Sequence, residues 1–418
     1  MPPLTIAFLA ALALYLTLKT WLARRQMRHV HAHRDKIPAA FDGAIQPNQH
    51  RKAADYTTAR VRLGLVDLCI STVVLLAWTL IGGLSWLDVG WRHLGLNPYF
   101  TGTGVILSVI LISALIDLPL SIYSTFGLEA RFGFNKMTSG TFIGDLVKST
   151  VLLLVIGAPL IFCALWLMAC AGALWWLYVW ALWLAFTLVM TWAYPALIAP
   201  LFNKFRPLDN VELKERLTAL LARCGFSSEG VFVMDGSRRS AHGNAYFTGF
   251  GRNKRIVFFD TLMDTLNGVE IEAVMAHELG HFRLHHIKLR LVMFAVLGLG
   301  GFALLGWLAA QPWFYHGLGV ATPSDHAALI LFALVAPIFM FPLTPAFSWL
   351  SRDHEFAADN YATHQADAKA LVSGLVKLYR DNSTTLTPDP IYSKFYDSHP
   401  PATVRIANLR QVSSTHIP

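Results

Sequence analysis

Seven stretches of the chain are apolar for long enough, at about 1.5 Å rise per residue, to cross about 30 Å of hydrocarbon as helices. Their limits are 5–23, 61–84, 101–126, 146–170, 172–200, 288–310 and 327–350. The fourth and fifth are parted only by a small-residue break at Ala171-Gly172. The first differs from a secretory signal because Lys19, Arg24 and Arg25 lie at or beyond its end and not before it, so it reads as a retained anchor. The pattern predicts a polytopic α-helical membrane protein.

Two polar stretches, 201–287 and 351–418, are long enough to fold, and neither alone makes a comfortable domain. The reading is therefore four segments: helices 1–5 in 1–200, a first domain piece in 201–287, helices 6 and 7 in 288–350, and a second piece in 351–418. The first piece opens with a helix over Glu212–Cys224, placing Leu213, Leu217, Leu220 and Leu221 on one face, with Gly225 as its stop. Val231–Met234 reads as a strand. Asn244–Phe250 and Arg255–Phe259 read as a hairpin turning at Gly251-Arg252-Asn253. From Gly268 the period becomes helical, and Glu270 and Glu272 suit the positive end of its dipole. In the second piece, helices are expected near Arg352–Thr363 and Asp367–Tyr379, followed by a Pro- and Ser-rich tail.

Composition agrees with the pattern. Of 418 residues, 55% are hydrophobic and 14% charged, against about 45–50% and 25% in soluble domains. Disorder, collagen, a coiled coil and a small disulfide scaffold are excluded. The net charge of +8 is allotted to loops facing an anionic leaflet and not to nucleic acid. With the N-terminus outside, only Arg92 of the 34 Lys and Arg falls in an outer loop. The expected orientation is N-out and C-terminus cytoplasmic. Cys69, Cys163, Cys170 and Cys224 show no C-x-x-C spacing and read as inert buried thiols. Asp67 and Asp117 stand inside apolar spans, where a carboxylate is costly. A pairing within the bundle is their plain reading, and an ion or proton pathway is the functional one.

The chemistry concentrates on His277-Glu278-Leu279-Gly280-His281. Histidines at i and i+4 project from one helix face, so both imidazoles can reach one Zn²⁺ at about 2.0–2.1 Å. Glu278 points about 100° round the helix, where it can take a proton from a water without ligating the metal. Residue frequencies predict ~0.01 matches to this spacing by chance. A catalytic zinc needs a third protein ligand. Glu355 is assigned as that ligand, and Asp359, one turn on, as the acceptor that fixes a ligand imidazole or handles protons. His354 is the alternative ligand, and His286, placed late in the metal helix, is read as packing or as support for a ligand and not as a ligand itself.

These residues carry a resemblance. His277–Phe282 together with Glu355-Phe356-Ala357-Ala358-Asp359 resemble the type 1 CAAX prenyl endopeptidases, seven-span zinc metalloproteases related to the HtpX membrane proteases. Glu129–Thr138, His242–Tyr246 and Ser398-His399-Pro400-Pro401 resemble that family's other signatures, in the same order. HtpX-type proteins are shorter, usually with four spans, so the prenyl-protease branch fits better. The resemblance implies zinc on His277, His281 and Glu355, with Glu278 as catalytic base. It also implies a ring of seven helices around a water-filled chamber capped by a gluzincin-like protease domain. Its reaction is endoproteolysis near the C-terminus of a protein bearing an isoprenylated cysteine.

The remaining motifs receive roles around that chemistry. Asn244 and Tyr246 belong to a strand whose edge could take an extended peptide. His242 or His399 could stabilise an oxyanion, and His399 is preferred because two prolines after it fix the backbone. Arg405 is read as an anchor for the tail or for a substrate carboxylate, with a structural salt bridge as the equal alternative. The expected partners are a peptide or protein substrate and the lipid bilayer. A quality-control protease of HtpX type and, more remotely, a transporter are the competing functions. The oligomeric state is left open, and the short loops favour a bacterial inner membrane over endoplasmic reticulum.

Overall fold

The computed structural model describes residues 1–248 and 253–415. Seven helices in it are long and apolar enough to cross a membrane: Pro3–Ala32, Pro47–Trp78, Pro98–Glu129, Ser139–Cys170, Gly172–Phe202, His286–Ala309 and Asp325–Gln365. The expected count holds, and Gly172 breaks the fourth helix from the fifth with φ +61°, a conformation glycine adopts without steric cost.

Most of these helices overrun the apolar runs. The first continues through Arg24 and Arg25 to Ala32, and the second begins at Pro47 instead of residue 61. Hydropathy marks where lipid ends, whereas a helix ends only where its backbone is capped or broken. The seventh shows this best. The helix expected over Arg352–Thr363 is not separate, because after a 3₁₀ turn at Phe341–Leu343 the helix runs unbroken over Thr344–Gln365. That continuation carries Glu355 and Asp359 out of the apolar region on a rigid rod.

At one end of the bundle, an apolar cluster including Phe8, Trp78, Val105, Leu165 and Leu331 is joined by the short helices Gly83–Arg92 and Pro312–Gly317. The second core draws on both polar pieces: Leu217, Leu220, Ile256, Phe258 and Met275 from the first, and Ala362, Leu371, Leu375 and Leu409 from the second. Its sheet has the order β1-β2-β4-β3, with β1 Phe205–Pro207, β2 Ser227–Met234, β3 Ala245–Thr248 and β4 Asn253–Phe259. β2 and β4 are parallel, and β1 and β3 flank them antiparallel. β3 and β4 form the expected hairpin ladder; the predicted turn at Gly251 and Arg252 lies outside the described residues.

Three further expectations are corrected. The tail after Tyr379 holds two helices, Pro390–Tyr396 and Ala402–Thr415. The first is started by Pro390 and capped by Asp389, whose carboxylate accepts from the Ile391 and Tyr392 N–H groups. Of the four cysteines only Cys224 is buried, since residues on a span need only be apolar enough for lipid. Asp67 and Asp117 form no ion pair among the described residues: both are exposed, and Asp67 lines a cavity.

Candidate active site

The Gly268–Arg283 helix is fixed at its start by a reciprocal cap. The Asn267 side chain accepts from the Glu270 N–H, and the Glu270 carboxylate accepts from the Asn267 N–H. Glu270 is buried and also receives Ser373 Oγ and Lys377 Nζ, each at 2.7 Å. The helix is thereby tied to the neighbouring Ala368–Asp381 helix. Its other end stops at Leu284, and His285 follows with φ +62°. His286 therefore opens the sixth span instead of continuing the metal helix, contrary to the sequence expectation.

Gly280 faces the helix that carries Glu355. A Cβ there would stand 3.1 Å from Ala358 Cα and 3.2 Å from Ala358 O, so the two helices approach at backbone distance. That approach brings three donors together. His277 Nε2 and His281 Nε2 are 3.3 Å apart, and the Glu355 oxygens lie 3.4 and 3.3 Å from them. Four-coordinate bonds of about 2.0–2.2 Å put neighbouring ligand atoms about 3.3–3.6 Å apart on a tetrahedral edge. The observed spacing matches.

The donor chemistry also fits a cation. Two imidazole nitrogens and the two oxygens of the Glu355 carboxylate face one another, and Glu355 Oε2 is buried with no hydrogen-bond partner. Among the described residues these three side chains form the group able to hold a metal ion. His354 is not part of it: its ring stacks on His286 at 4.0 Å. His286 in turn places Nδ1 3.0 Å from His281 Nδ1.

Behind this cluster, Asp359 is fully buried and its carboxylate accepts from His277 Nδ1 at 2.8 Å. This fixes the tautomer that leaves Nε2 facing the donor cluster. Arg405, 4% exposed, donates Nε to Asp359 at 2.8 Å and Nη2 to its other oxygen. Its Nη1 stands 3.4 Å from Glu355. The guanidinium is thus committed to the carboxylates behind the site. These buried acids raise the Arg405 pKa further against burial. Burial opposes protonation of His277, but the hydrogen bond to Asp359 and the adjacent Glu355 carboxylate outweigh burial and raise its pKa to about 9.

A cavity of about 800 Å³ opens in front of the cluster, between the first two spans and the sheet, with Glu278, Asn244, Ala245 and His399 in its wall. His399 Nε2 lies 3.4 Å from Glu355 Oε1 on the cavity side. The enclosing protein lowers its pKa by more than Glu355 raises it. Arg352 secures this segment by donating to the Asp397 carbonyl at 2.9 Å. Asn244 is exposed at the cavity, whereas Tyr246 packs edge-on to Phe259. His242 stands apart, against Tyr56 and Glu129.

Comparison with known proteins decides the class. The model of the CAAX prenyl protease N-terminal region, five membrane helices, matches residues 26–204, and that of peptidase family M48 matches 207–413. A CAAX prenyl protease 1 homolog of Arabidopsis thaliana is 34% identical over 93% of both chains.

The chain belongs to the CAAX prenyl protease 1 family of M48 peptidases.

The Homo sapiens homolog is 30% identical, covering 94% of this chain and 92% of its own. The crystal structure of S. mikatae Ste24p superimposes with a TM-score of 0.89 at 28% identity, over 98% of this chain and all of that one. The chain is thus an integral-membrane metalloendopeptidase. Sequence reasoning missed two contributors, Gly280 and Arg352. The only sequence signal for the first is a glycine inside a helix, which ordinarily costs about 1 kcal/mol and so asks for a packing reason.

Proposed function

We propose that this M48 protease holds one zinc ion on His277, His281 and Glu355 and cuts a peptide bond near the C-terminus of a prenylated protein. Residues 201–287 and 351–418 act as one protease unit facing the cytoplasm, with the N-terminus outside. The Lys and Arg asymmetry supports that orientation, and the short loops favour a bacterial inner membrane. The observation that carries the reading is the tetrahedral-edge spacing of the three donors, with Glu278 beside them in the cavity wall.

When bound, zinc supplies Lewis acidity that polarises the scissile carbonyl and acidifies the attacking water. The remaining roles belong to the chain. The edge of β3 receives the extended substrate, with Asn244 at its mouth. Glu278 takes the proton of the water as it attacks and delivers it to the leaving amine. His399 donates to the oxygen on which charge develops. Asp359 keeps His277 in its working tautomer, and Arg405 holds Asp359 in place. The apolar part of the cavity wall accommodates the lipid, and the cavity admits the water the reaction consumes.

Replacing Glu278 with Gln tests the assignment. The variant should keep one metal ion per chain and lose at least about a thousandfold in kcat. Wild-type cleavage of a prenylated peptide should exceed that of its unprenylated counterpart. Equal rates for the two would move the function to general membrane quality control, and an active Glu278→Gln enzyme would refute the mechanism.

A further inference from the structure

His242 and the loop after the third span take no part in the metal site, yet they converge on it from behind the edge strand. Tyr56 of the second span donates to Glu129 Oε1 at 2.6 Å. Glu129 Oε2 and the Tyr56 hydroxyl each lie 3.5 Å from His242 Nε2. The His242 ring stacks on Phe134 at 4.2 Å, over a small core of Tyr56, Leu128 and Phe134. On its other side, His242 Nδ1 meets Asn382 Oδ1 at 3.3 Å.

Asn382 then grips the backbone. Its Oδ1 accepts from the Gly243 N–H at 3.1 Å, and its Nδ2 donates to the Gly243 carbonyl at 3.4 Å. Gly243 is two residues before β3, and Gly243, Asn244 and Ala245 all line the catalytic cavity. The residue after Asn382 shows how firmly this corner is held. Ser383 is buried and adopts φ +45°, a left-handed conformation that a non-glycine residue keeps only where its surroundings impose it. The Thr261 hydroxyl closes the corner by donating to the His242 carbonyl at 3.0 Å.

We infer that Asn382 and His242, braced by Glu129 and Tyr56, are positioning residues that hold the β3 edge at the height where a bound peptide presents its scissile bond to Glu278. The inference rests on the proposed strand-addition of substrate. It assigns the Glu129–Thr138 loop a function: the loop lets membrane helices set the geometry of a soluble strand. Nothing in this network touches a donor to the ion, so its loss weakens peptide binding without disturbing the metal or the proton-transfer groups. A change confined to substrate affinity shows as KM and not kcat.

The test is a kinetic series on the full-length protein in detergent, with metal content and melting temperature recorded for each variant. Asn382→Ala should raise KM for an extended peptide about tenfold, leave kcat within about twofold and keep one metal ion per chain. Asn382→Asp retains the acceptor for Gly243 and His242 and should recover most of the loss. His242→Ala should act in the same direction, and the Asn382→Ala/His242→Ala pair should cost little more than either change alone, because the two form one unit. A fall in kcat at constant KM, loss of metal, or fully additive effects would overturn the proposal. If Asn382→Ala does not fold, Asn382→Ser and His242→Gln carry the same comparison. A failure of the protease reading itself would show separately, as undiminished cleavage by Glu278→Gln.

Discussion

Single side chains around the ion act through the proton inventory. His277 can hold an ion on Nε2 only after giving up the proton there, while Nδ1 keeps its proton for Asp359. Because the His277 pKa stands near 9 without an ion, metal uptake at neutral pH should release a proton. Apparent affinity should then rise with pH and level off above about 9. Calorimetric titration of the apo protein in buffers of different ionisation enthalpy measures this directly, and a buffer-independent heat would contradict it. Replacing Asp359 with Asn keeps the shape but removes the charge that orients the imidazole. It should lower metal affinity about 10–100-fold, read by competition with a chelating dye. These residues were the most legible part of the sequence. The spacing of His277, Glu278 and His281 is fixed by one helical turn, and Glu355 and Asp359 repeat that spacing on a second helix. Arg405 was visible as a charge but not as a partner of Asp359, because 46 residues of chain separate them and only the fold closes that gap.

Helices decide whether those side chains meet. The approach at Gly280 leaves about 3.1–3.2 Å for a Cβ against the Ala358 backbone, so Gly280→Ala must push the two helices apart by a few tenths of an ångström. Glu355 moves with its helix, and the variant should bind metal more weakly while still folding, as circular dichroism and metal titration would show together. The cap at Glu270 provides a second check. Burial raises its pKa, but Lys377, Ser373 and the Asn267 N–H outweigh burial and hold it below the ordinary 4.5. A carboxyl held low in the folded state contributes stability above its unfolded pKa, and that contribution is lost as pH falls through the folded value. Glu270→Gln should therefore lower the melting temperature at pH 7 and narrow the gap to wild type on acidification below about 4.5; an unchanged gap would contradict the cap's electrostatic role. Element types were readable from periodicity, and element ends were not. The seventh span shows why: polarity changes at about residue 350, but no cap or breaker does, so the helix carries on for 15 more residues to Gln365. His286 erred the other way, since nothing in Leu284-His285 announces a left-handed residue.

At the scale of the molecule, the bundle and the protease unit are stapled together. Arg25 at the end of the first span donates two hydrogen bonds to buried Asp389, whose backbone N–H donates to the Gln26 side chain at 2.7 Å. Asp389 also caps the Pro390–Tyr396 helix, which leads to His399. Asp389→Ala should lower both thermal stability and kcat with metal content unchanged, since the lost helix cap alone costs about 1 kcal/mol and the partly exposed Arg25 loses its partner. Span count and the order of motifs could be read from the chain because membrane hydropathy is a strong signal and the metal motif is rare. The cavity could not, because it is made by side chains of the first two spans meeting residues more than 170 positions away.

The most direct test of the whole account is elemental analysis of the detergent-purified protein beside its Glu355→Gln variant. Wild type should carry one zinc per chain, and the variant, folded by circular dichroism, should carry far less than one. A wild type without stoichiometric zinc, or a Glu355→Gln variant that retains it fully, would contradict the assignment of these three side chains as the catalytic metal site.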